Sequence, residues 1–570
     1  MSEARGGRRA GRRVTIACGI TVVLIGGGRV LLTPVRGGVS HWTASASTAA
    51  TAASTKIRAS ALSSTTTCTG AFETHLLDHT TTISASSSAA FDSNGSGVAD
   101  DDLDDDGRID IVLGNLDGPD TILWNEGNWR FTTQRLHDRS TRAVGLVDVD
   151  GDGNLDIVDT HRAGGVGAWR NLGDRTFTEM RLTGVLHSAY SMAWADVDGN
   201  GTLDVATGSF DAELDQQSRS TFLFSDGEGI FTYLQKDGAF HAERLATKSE
   251  ALTTNFVDLD LDGRPDLLIG NDFSMRDAAW RNTDDGWKTF EPFSHTATHT
   301  MSFDAGDVDN DGAEEYFSTD MKPRSPDAAT LAQWLPLMAS LQKPVEDPSN
   351  PQRVANVLEA RQANGKFSEL AEQSGVDATG WSWSGRFGDL DNDGSLDLYV
   401  VNGMMGAGMF PYLAGTELVE KNVALSNRGD GSFTARPEWH LDSEASGRGS
   451  VMADLDNDGR LDVVVNNVGS PAAAYENRVC GGQAVEVALN WPGSKNTRAI
   501  GAHVEVTTSK GTMVREVRAG GGYLSGSSSR LHVGLPANAT LQSIRITWPD
   551  RSMSMIADPA SQTLYEVTRS

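Results

Sequence analysis

Seven times along this chain of 570 residues, a nine-residue segment sets oxygen-bearing side chains at positions 1, 3, 5 and 9 and a glycine at position 6, and an apolar run follows. Asp389 to Asp397, DLDNDGSLD followed by LYVV, is the clearest copy. In chain order the ligand sets are Asp102, Asp104, Asp106 and Asp110 (loop 1); Asp148, Asp150, Asp152 and Asp156 (loop 2); Asp196, Asp198, Asn200 and Asp204 (loop 3); and Asp258, Asp260, Asp262 and Asp266 (loop 4). Then come Asp307, Asp309, Asp311 and Glu315 (loop 5); Asp389, Asp391, Asp393 and Asp397 (loop 6); and Asp454, Asp456, Asp458 and Asp462 (loop 7). Hard oxygen donors brought to one point, with a glycine permitting the sharp turn, suit calcium. One such turn is as readily a solvated acidic loop; seven copies at matched spacing argue against that.

An EF-hand begins the same way but closes on a glutamate at position 12 and sits between helices. Here position 12 is Leu113, Asp159, Thr207, Ile269, Ser318, Val400 or Val465. The flanks are short and strand-like: DIVL, DLLI, DLYVV and DVVV follow loops 1, 4, 6 and 7. Each loop therefore joins two strands of a hairpin. First aspartates are 46, 48, 62, 49, 82 and 65 residues apart, a period of roughly fifty that fits propeller blades. Between loops a second pattern returns, an Asn or Ser, a Gly-containing turn and a Phe, as in WNEGNWRF at 124, FSDGEGIF at 224 and LSNRGDGSF at 425. It reads as the outer hairpin of a blade.

These residues resemble the FG-GAP repeats of integrin-α-type propellers. The whole chain from about 90 onward resembles bacterial relatives of cartilage acidic protein, whose C-terminal module is called ASPIC/UnbV. The stretches that carry this are GWSWSGRFGDLDNDGSLDLYVVNGM at 380, GRGSVMADLDNDGRLDVVVNNVG at 447, RAIGAHVEV at 498, REVRAGGGYLSGSSSRLHVGL at 515 and IRITWPD at 544. The resemblance implies an all-β fold: a seven-bladed β-propeller with calcium-binding inter-strand loops, plus a small C-terminal antiparallel β-domain, extracellular and without an established enzymatic activity. About seven structural Ca²⁺ sites follow, with Asn200 and Glu315 weakening loops 3 and 5.

Residues 1–46 read as a signal peptide or signal anchor: Arg5, Arg8, Arg9, Arg12 and Arg13 precede the apolar run Val14–Gly28, and Ala44-Ser45-Ala46 could be cleaved. An extracytoplasmic location follows, secreted, periplasmic or cell-surface, with the membrane touched only through an uncleaved anchor. Residues 47–68, rich in Ser, Thr and Ala, read as a flexible linker. The propeller is expected over 69–478 and the ASPIC/UnbV-like domain over 479–570, where alternation such as AHVEVTT replaces the acidic loops. The net charge of −29 would fall to −15 with seven divalent ions bound, so much of the acidity is ligand. Such a chain repels phosphate backbones, and no nucleic-acid partner is expected.

On the face opposite the ions, three insertions leave the second strands: 208–220, 319–355 with a short helix in TLAQWLPLMASL, and 402–425. Residues before the inner strands should open around the axis on that face: Arg142, His187, Tyr190, His295, His299, Trp381, Trp383 and Arg448. Aromatics beside Arg and His suit a sugar or a protein edge; the two tryptophans are equally suited to packing between blades. The expected function is a calcium-dependent binding or adhesion module, monomeric, for an extracellular protein or glycan. The alternative is a carbohydrate-active hydrolase or lyase, for which Asp272 and Asp320 are the carboxylates to check. No GxSxG, P-loop, GxGxxG or HExxH motif occurs. Arg428-Gly429-Asp430 spells an adhesion tripeptide, but within a turn that demands Gly and Asp.

Ring closure involves the cysteines. The seventh blade offers three strands before the C-terminal module begins, and GAFETHLL at 70–77 has the composition to supply its fourth. Paired antiparallel to AAAYENR, it would bring Cys68 beside Cys480, a disulfide suited to an oxidising compartment.

Overall fold

The computed structural model describes residues 52–63, 67–83, 91–162, 164–218, 227–273, 275–341, 350–406 and 409–570. The export segment expected over 1–46 lies outside them. Each acidic repeat becomes one antiparallel sheet with its acidic loop between the first and second strands. The sheets, called blades 1 to 7 here, span 98–138, 141–180, 191–246, 251–290, 303–369, 380–435, and 447–478 together with 71–80. Second strands such as Asp110–Leu113, Asp266–Asn271, Asp397–Asn402 and Asp462–Asn467 are buried along their whole length, because both faces are covered by neighbouring blades. The inner strand of each blade lies against that of the next, and Gly447–Ala453 of blade 7 lies against Val98–Asp101 of blade 1.

A side chain on the third strand links each blade to its predecessor. Asn125 donates to the Leu455 carbonyl at 2.7 Å, Asn171 to Leu103 at 2.8 Å, Gln235 to Val149 at 3.1 Å and Asn282 to Val197 at 2.7 Å. Arg361 then donates to Leu259 at 2.6 Å, Asn427 to Val308 at 2.6 Å and Asn477 to Leu390 at 2.8 Å. Every acceptor is the second residue of a calcium loop, so these bonds fasten each loop to the following blade. This is why Asn recurs in the outer-hairpin pattern. Blade 3 departs from the expected assignment: its outer hairpin turns at Asp237-Gly238, between Ile230–Lys236 and Ala239–Ala246, while Gly227-Glu228-Gly229 lead into the first of these strands. Its linking residue is accordingly Gln235.

Ala71–Thr80 completes blade 7, pairing antiparallel with Pro471–Arg478 from Ala71↔Arg478 to Leu76↔Ala473. Cys68 and Cys480 form a disulfide with Cα atoms 5.0 Å apart. The preceding segment corrects the expectation of a flexible linker. Thr55–Ala61 is a strand that pairs antiparallel with the last strand, Thr563–Arg569. Ile57 on it is exposed and its composition carries no apolar alternation, so the pairing comes from backbone hydrogen bonds offered by an otherwise open sheet edge.

The C-terminal module is two four-stranded sheets, one ordered 55–61, 563–569, 484–490, 531–534 and the other 511–516, 503–508, 541–547, 553–557. One neighbouring pair, 484–490 and 563–569, runs parallel, a departure from the all-antiparallel expectation. The module stands on the calcium-loop face. Its apolar core, including Val485, Val504, Ile546 and Trp548, is continuous with Val147, Val158, Trp194 and Phe231 of blades 2 and 3. Polar contacts follow around the face: Thr497 Oγ1 to Asp148 at 2.6 Å, Lys495 N to Gly201 O at 2.9 Å, Arg551 to Asp262 O at 2.9 Å, Arg518 to Glu314 at 2.5 Å, Gly482 N to Asp391 O at 3.2 Å and Arg498 to Asp105 at 3.0 Å.

Candidate metal centres and the plugged axis

All seven loops close the same way. The position-1 carboxylate accepts the backbone N–H groups of positions 5 and 6; in loop 6, Asp393 N and Gly394 N reach Asp389 at 3.0 and 2.8 Å. The position-9 carboxylate accepts the N–H of position 2, as Leu390 N to Asp397 at 2.9 Å, and Glu315 does the same for Val308 at 3.0 Å despite its extra methylene. In loop 3, Asn200 accepts from Thr202 N at 2.7 Å and donates to the Gln235 carbonyl. In loops 1 to 5 three ligand residues bring one carboxylate oxygen each within 4.8 Å of one another.

Such crowding opposes ionisation. Burial, with neighbouring carboxylates adding to it, pushes Asp110 and Asp389 up to about 8 and Asp156, Asp204 and Asp266 up to about 7. One buried oxygen of Asp104 and one of Asp391 meet no hydrogen-bond donor in the protein. Unpaired oxygens facing one point, with no nitrogen or sulfur donor among them, fit a hard divalent cation such as calcium. The residues at positions 1, 3, 5 and 9 would hold it. The ion would supply the positive charge that lets these carboxylates ionise while buried, which is a structural role.

The axis departs from expectation. The Gly-Gly-Gly-Tyr-Leu-Ser-Gly segment, 520–526 of the C-terminal module, enters the space enclosed by the inner strands and touches every blade. Val144 N donates to Leu524 O at 3.1 Å, Gly522 N to Phe303 O at 2.9 Å, Tyr523 N to Ser384 Oγ at 3.2 Å and Thr253 Oγ1 to Gly522 O at 3.4 Å. Val98 N reaches Ser525 Oγ, Tyr190 and Tyr523 share a hydroxyl hydrogen bond of 2.8 Å, and a Cβ on Gly449 would meet Ser525 Oγ at 2.6 Å. Glycine is required by close approach: a Cβ on Gly97 would lie 1.7 Å from Leu524 O, and one on Gly526 would lie 2.8 Å from the Ala99 Cβ. Beside the plug a cavity of about 30 Å³ remains, room for about one water.

Most of the residues expected to open around the axis therefore do not. Arg142 and Arg448 are wholly buried. Arg142 pairs with Glu213 and donates to the Gly95 and Phe91 carbonyls at 3.0 Å. Arg448 donates to Ser93 O at 2.8 Å and Gly447 O at 2.6 Å and lies 4.3 Å over the Trp383 ring; burial pushes its guanidinium down to about 9. Trp383 packs edge-on to Tyr523 at 5.0 Å, and Trp381 against Trp334 and Phe410. Only His187, stacked on Phe231 at 3.9 Å and bonded to Glu228, and His295, beside Ser294, keep access to solvent. Buried His299 bonds Asp272 at 2.8 Å. Asp320 spends its oxygens on the backbone N–H groups of Thr298, His299 and Met321 at 2.8, 3.1 and 2.5 Å. Asp272 and Asp320 thus flank one histidine, and with Asp320 wholly buried and holding backbone they are not a pair facing a substrate pocket. Arg428-Gly429-Asp430 is the turn between Val423–Asn427 and Phe433–Ala435, its Asp accepting from Ser432 N. The sequence shows the Gly-Ser-rich loop, within REVRAGGGYLSGSSSRLHVGL at 515, but not its destination, because such a loop has no periodicity that points to a partner.

The fold and loops define a β-propeller built of acidic-loop repeats, and family models agree: FG-GAP-like repeats match 102–158, 148–207, 258–318 and 412–465. The chain carries these repeats together with a C-terminal ASPIC and UnbV domain, matched over 492–570. No curated protein matches it. Among solved structures it is similar to BBS1N in complex with ARL6DN, soaked with mercury, at 8% identity over 67% of this chain and 90% of that one with a TM-score of 0.36. The lead-soaked crystal of the same complex gives 9%, 67%, 91% and 0.37. FG-GAP repeats and UnbV domains are not typical enzyme families. Among the described residues no helix is long and apolar enough to cross a membrane.

Proposed function

We propose that the protein acts outside the cytoplasm as a calcium-stabilised, seven-bladed binding module whose contact surface is the propeller face opposite the ions. The observation that carries this is the asymmetry of the two faces. The axis and most of the acidic-loop face are covered by the chain's own C-terminal module, whereas the opposite face holds Phe273, just beyond a second strand, and Leu335, Met409, Tyr412 and Val419 on the insertions, all exposed. Exposed aromatic and aliphatic side chains on a rigid scaffold favour a protein partner. Trp334, buried against Trp381 and bonded to Glu420 at 3.2 Å, fixes the helix Ala328–Leu341 that presents Leu335. A disulfide that joins the start of the ring to its end suits an oxidising compartment.

The test is cross-linking capture of the secreted protein's partner from its native surroundings, comparing wild type with the double variant Leu335→Asp, Tyr412→Asp. Loss of the captured partner with unchanged calcium content and melting temperature supports the reading. Retained capture places the contact surface elsewhere. Complete replacement of 319–355 would be a poor test, because Thr319 donates to Trp383 O of blade 6 and Asp320 N to Asn356 within blade 5, so the segment's start is part of the blades themselves.

A further inference from the structure

On the calcium face the C-terminal module does not sit evenly. Over loops 3 and 4 it stands away from the propeller and leaves a cleft of about 550 Å³, within the range of roughly 300–1,000 Å³ typical of small-ligand sites. One wall is propeller: loops 3 and 4 and the outer hairpin of blade 4, which carries Trp287. The other is module: His503, Glu516 and the turn Trp548–Arg551. Trp287 is half-buried, with its ring stacked on Phe256 behind it at 6.3 Å, so its position is held from one side.

Charge in the cleft is largely paired. Arg264 meets Asp284 at 2.6 Å, Asp550 meets Arg569 at 2.6 Å and Glu516 meets Arg518 at 2.5 Å, while Asp196, Asp198 and Asp258 belong to the metal loops. What remains is one acidic and one basic side chain, Glu243 and Arg551, that offset each other, and an aromatic wall among hydrogen-bond acceptors and donors. That combination offers little to a strongly charged ligand and much to a neutral ring carrying many hydroxyls.

We propose that this cleft binds a neutral saccharide, one ring lying on Trp287 and its hydroxyls bonded to Glu243, the Arg264–Asp284 pair and the polar groups of 547–551. The site is independent of the protein-contact face opposite, so either can fail alone. Calorimetric titration of the full-length calcium-loaded protein with neutral tetrasaccharides built on glucose, mannose, galactose or N-acetylglucosamine tests it. Spermine and a sulfated tetrasaccharide serve as charged probes. At least one neutral tetrasaccharide should bind, with Trp287→Ala weakening it roughly tenfold or more and Trp287→Phe by only about threefold or less, the scale of an aromatic stacking contact. Melting temperature and calcium content of both variants should match wild type; should Trp287→Ala lower them, Glu243→Gln, an exposed strand position, gives the same comparison. Binding of spermine or the sulfated probe alone, binding untouched by both variants, or no binding by any neutral tetrasaccharide would overturn the proposal.

Discussion

Loops 2, 6 and 7 share one design with loops 3 and 4, yet the two groups live in different surroundings. Asp148, Asp389 and Asp454, at position 1 of the first group, are at most 2% exposed, because the module lies directly on them: Thr497 bonds Asp148, and Gly534 leaves no room for a Cβ beside Asp389. Asp196 and Asp258, at the same position in loops 3 and 4, are only partly covered and line the cleft. One ligand set can therefore make a buried rivet or an ion site near solvent, and the choice is made by a domain far away in the chain. Buried rivets should exchange slowly and couple the module to the ring. Open ones should exchange fast.

The largest effect expected is from chelation. Ions that bind only the folded state stabilise it by about 2.7 kcal/mol each at a hundredfold excess over Kd, so EDTA should lower the melting temperature by more than about 10 °C. Release into a fluorescent chelator should show a fast phase from loops 3 and 4 and a slower one from loops 2, 6 and 7; a single phase would break the comparison. The pH dependence has a definite sign. Without metal, Asp110, Asp156, Asp204, Asp266 and Asp389 have folded-state pKa values of about 7 to 8, above those of the unfolded chain. Their contribution to metal-free stability is complete below about pH 4 and is lost as pH rises through about 7 to 8. Calcium binds the ionised form, so the gain in melting temperature on adding calcium should grow from pH 5 to 8. A gain independent of pH would show that these carboxylates are not the ligands.

Next in size is the plug. Tyr523→Ala removes a fully buried aromatic side chain and should cost about 3–5 kcal/mol, read as urea midpoint, whereas Tyr523→Phe, which loses the bond to Tyr190, should cost about 1 kcal/mol. If the plug helps hold the roof, Tyr523→Ala should also quicken release from loops 2, 6 and 7 while leaving loops 3 and 4 little changed. Equal quickening of both groups would mean that the roof is held independently of the axis.

Within single loops the expected effects are smaller. Asn200→Asp gives open loop 3 its fourth carboxylate and should tighten its calcium affinity several-fold, seen as a shift of the fast phase alone. Thr497→Val deletes the roof's hydrogen bond to Asp148 and should alter only the slow phase, at a cost of about 1 kcal/mol or less in stability.

Local chemistry along the chain dictates what lies between near neighbours. Carboxylates two residues apart beside a glycine, recurring seven times at matched spacing, mark the loops, and apolar β-branched runs after them make buried strands, so loops, blades and the strand 71–80 that completes blade 7 were legible. The recurring Asn of the outer hairpin was visible too, though not that Asn125 would reach Leu455 across the closing seam. The tertiary structure decided the rest. The segment 520–526 enters the axis because Gly97, far away in the chain, and Gly449, nearer to it, leave backbone-sized room there, and Tyr190 and Trp383 are packed against its Tyr523. Thr55–Ala61 became a strand because Thr563–Arg569 offered an edge. Gly and Ser carry neither period nor charge, so a segment made of them records nothing about the distant surface it will fill. That is settled only when the whole ring has closed around it.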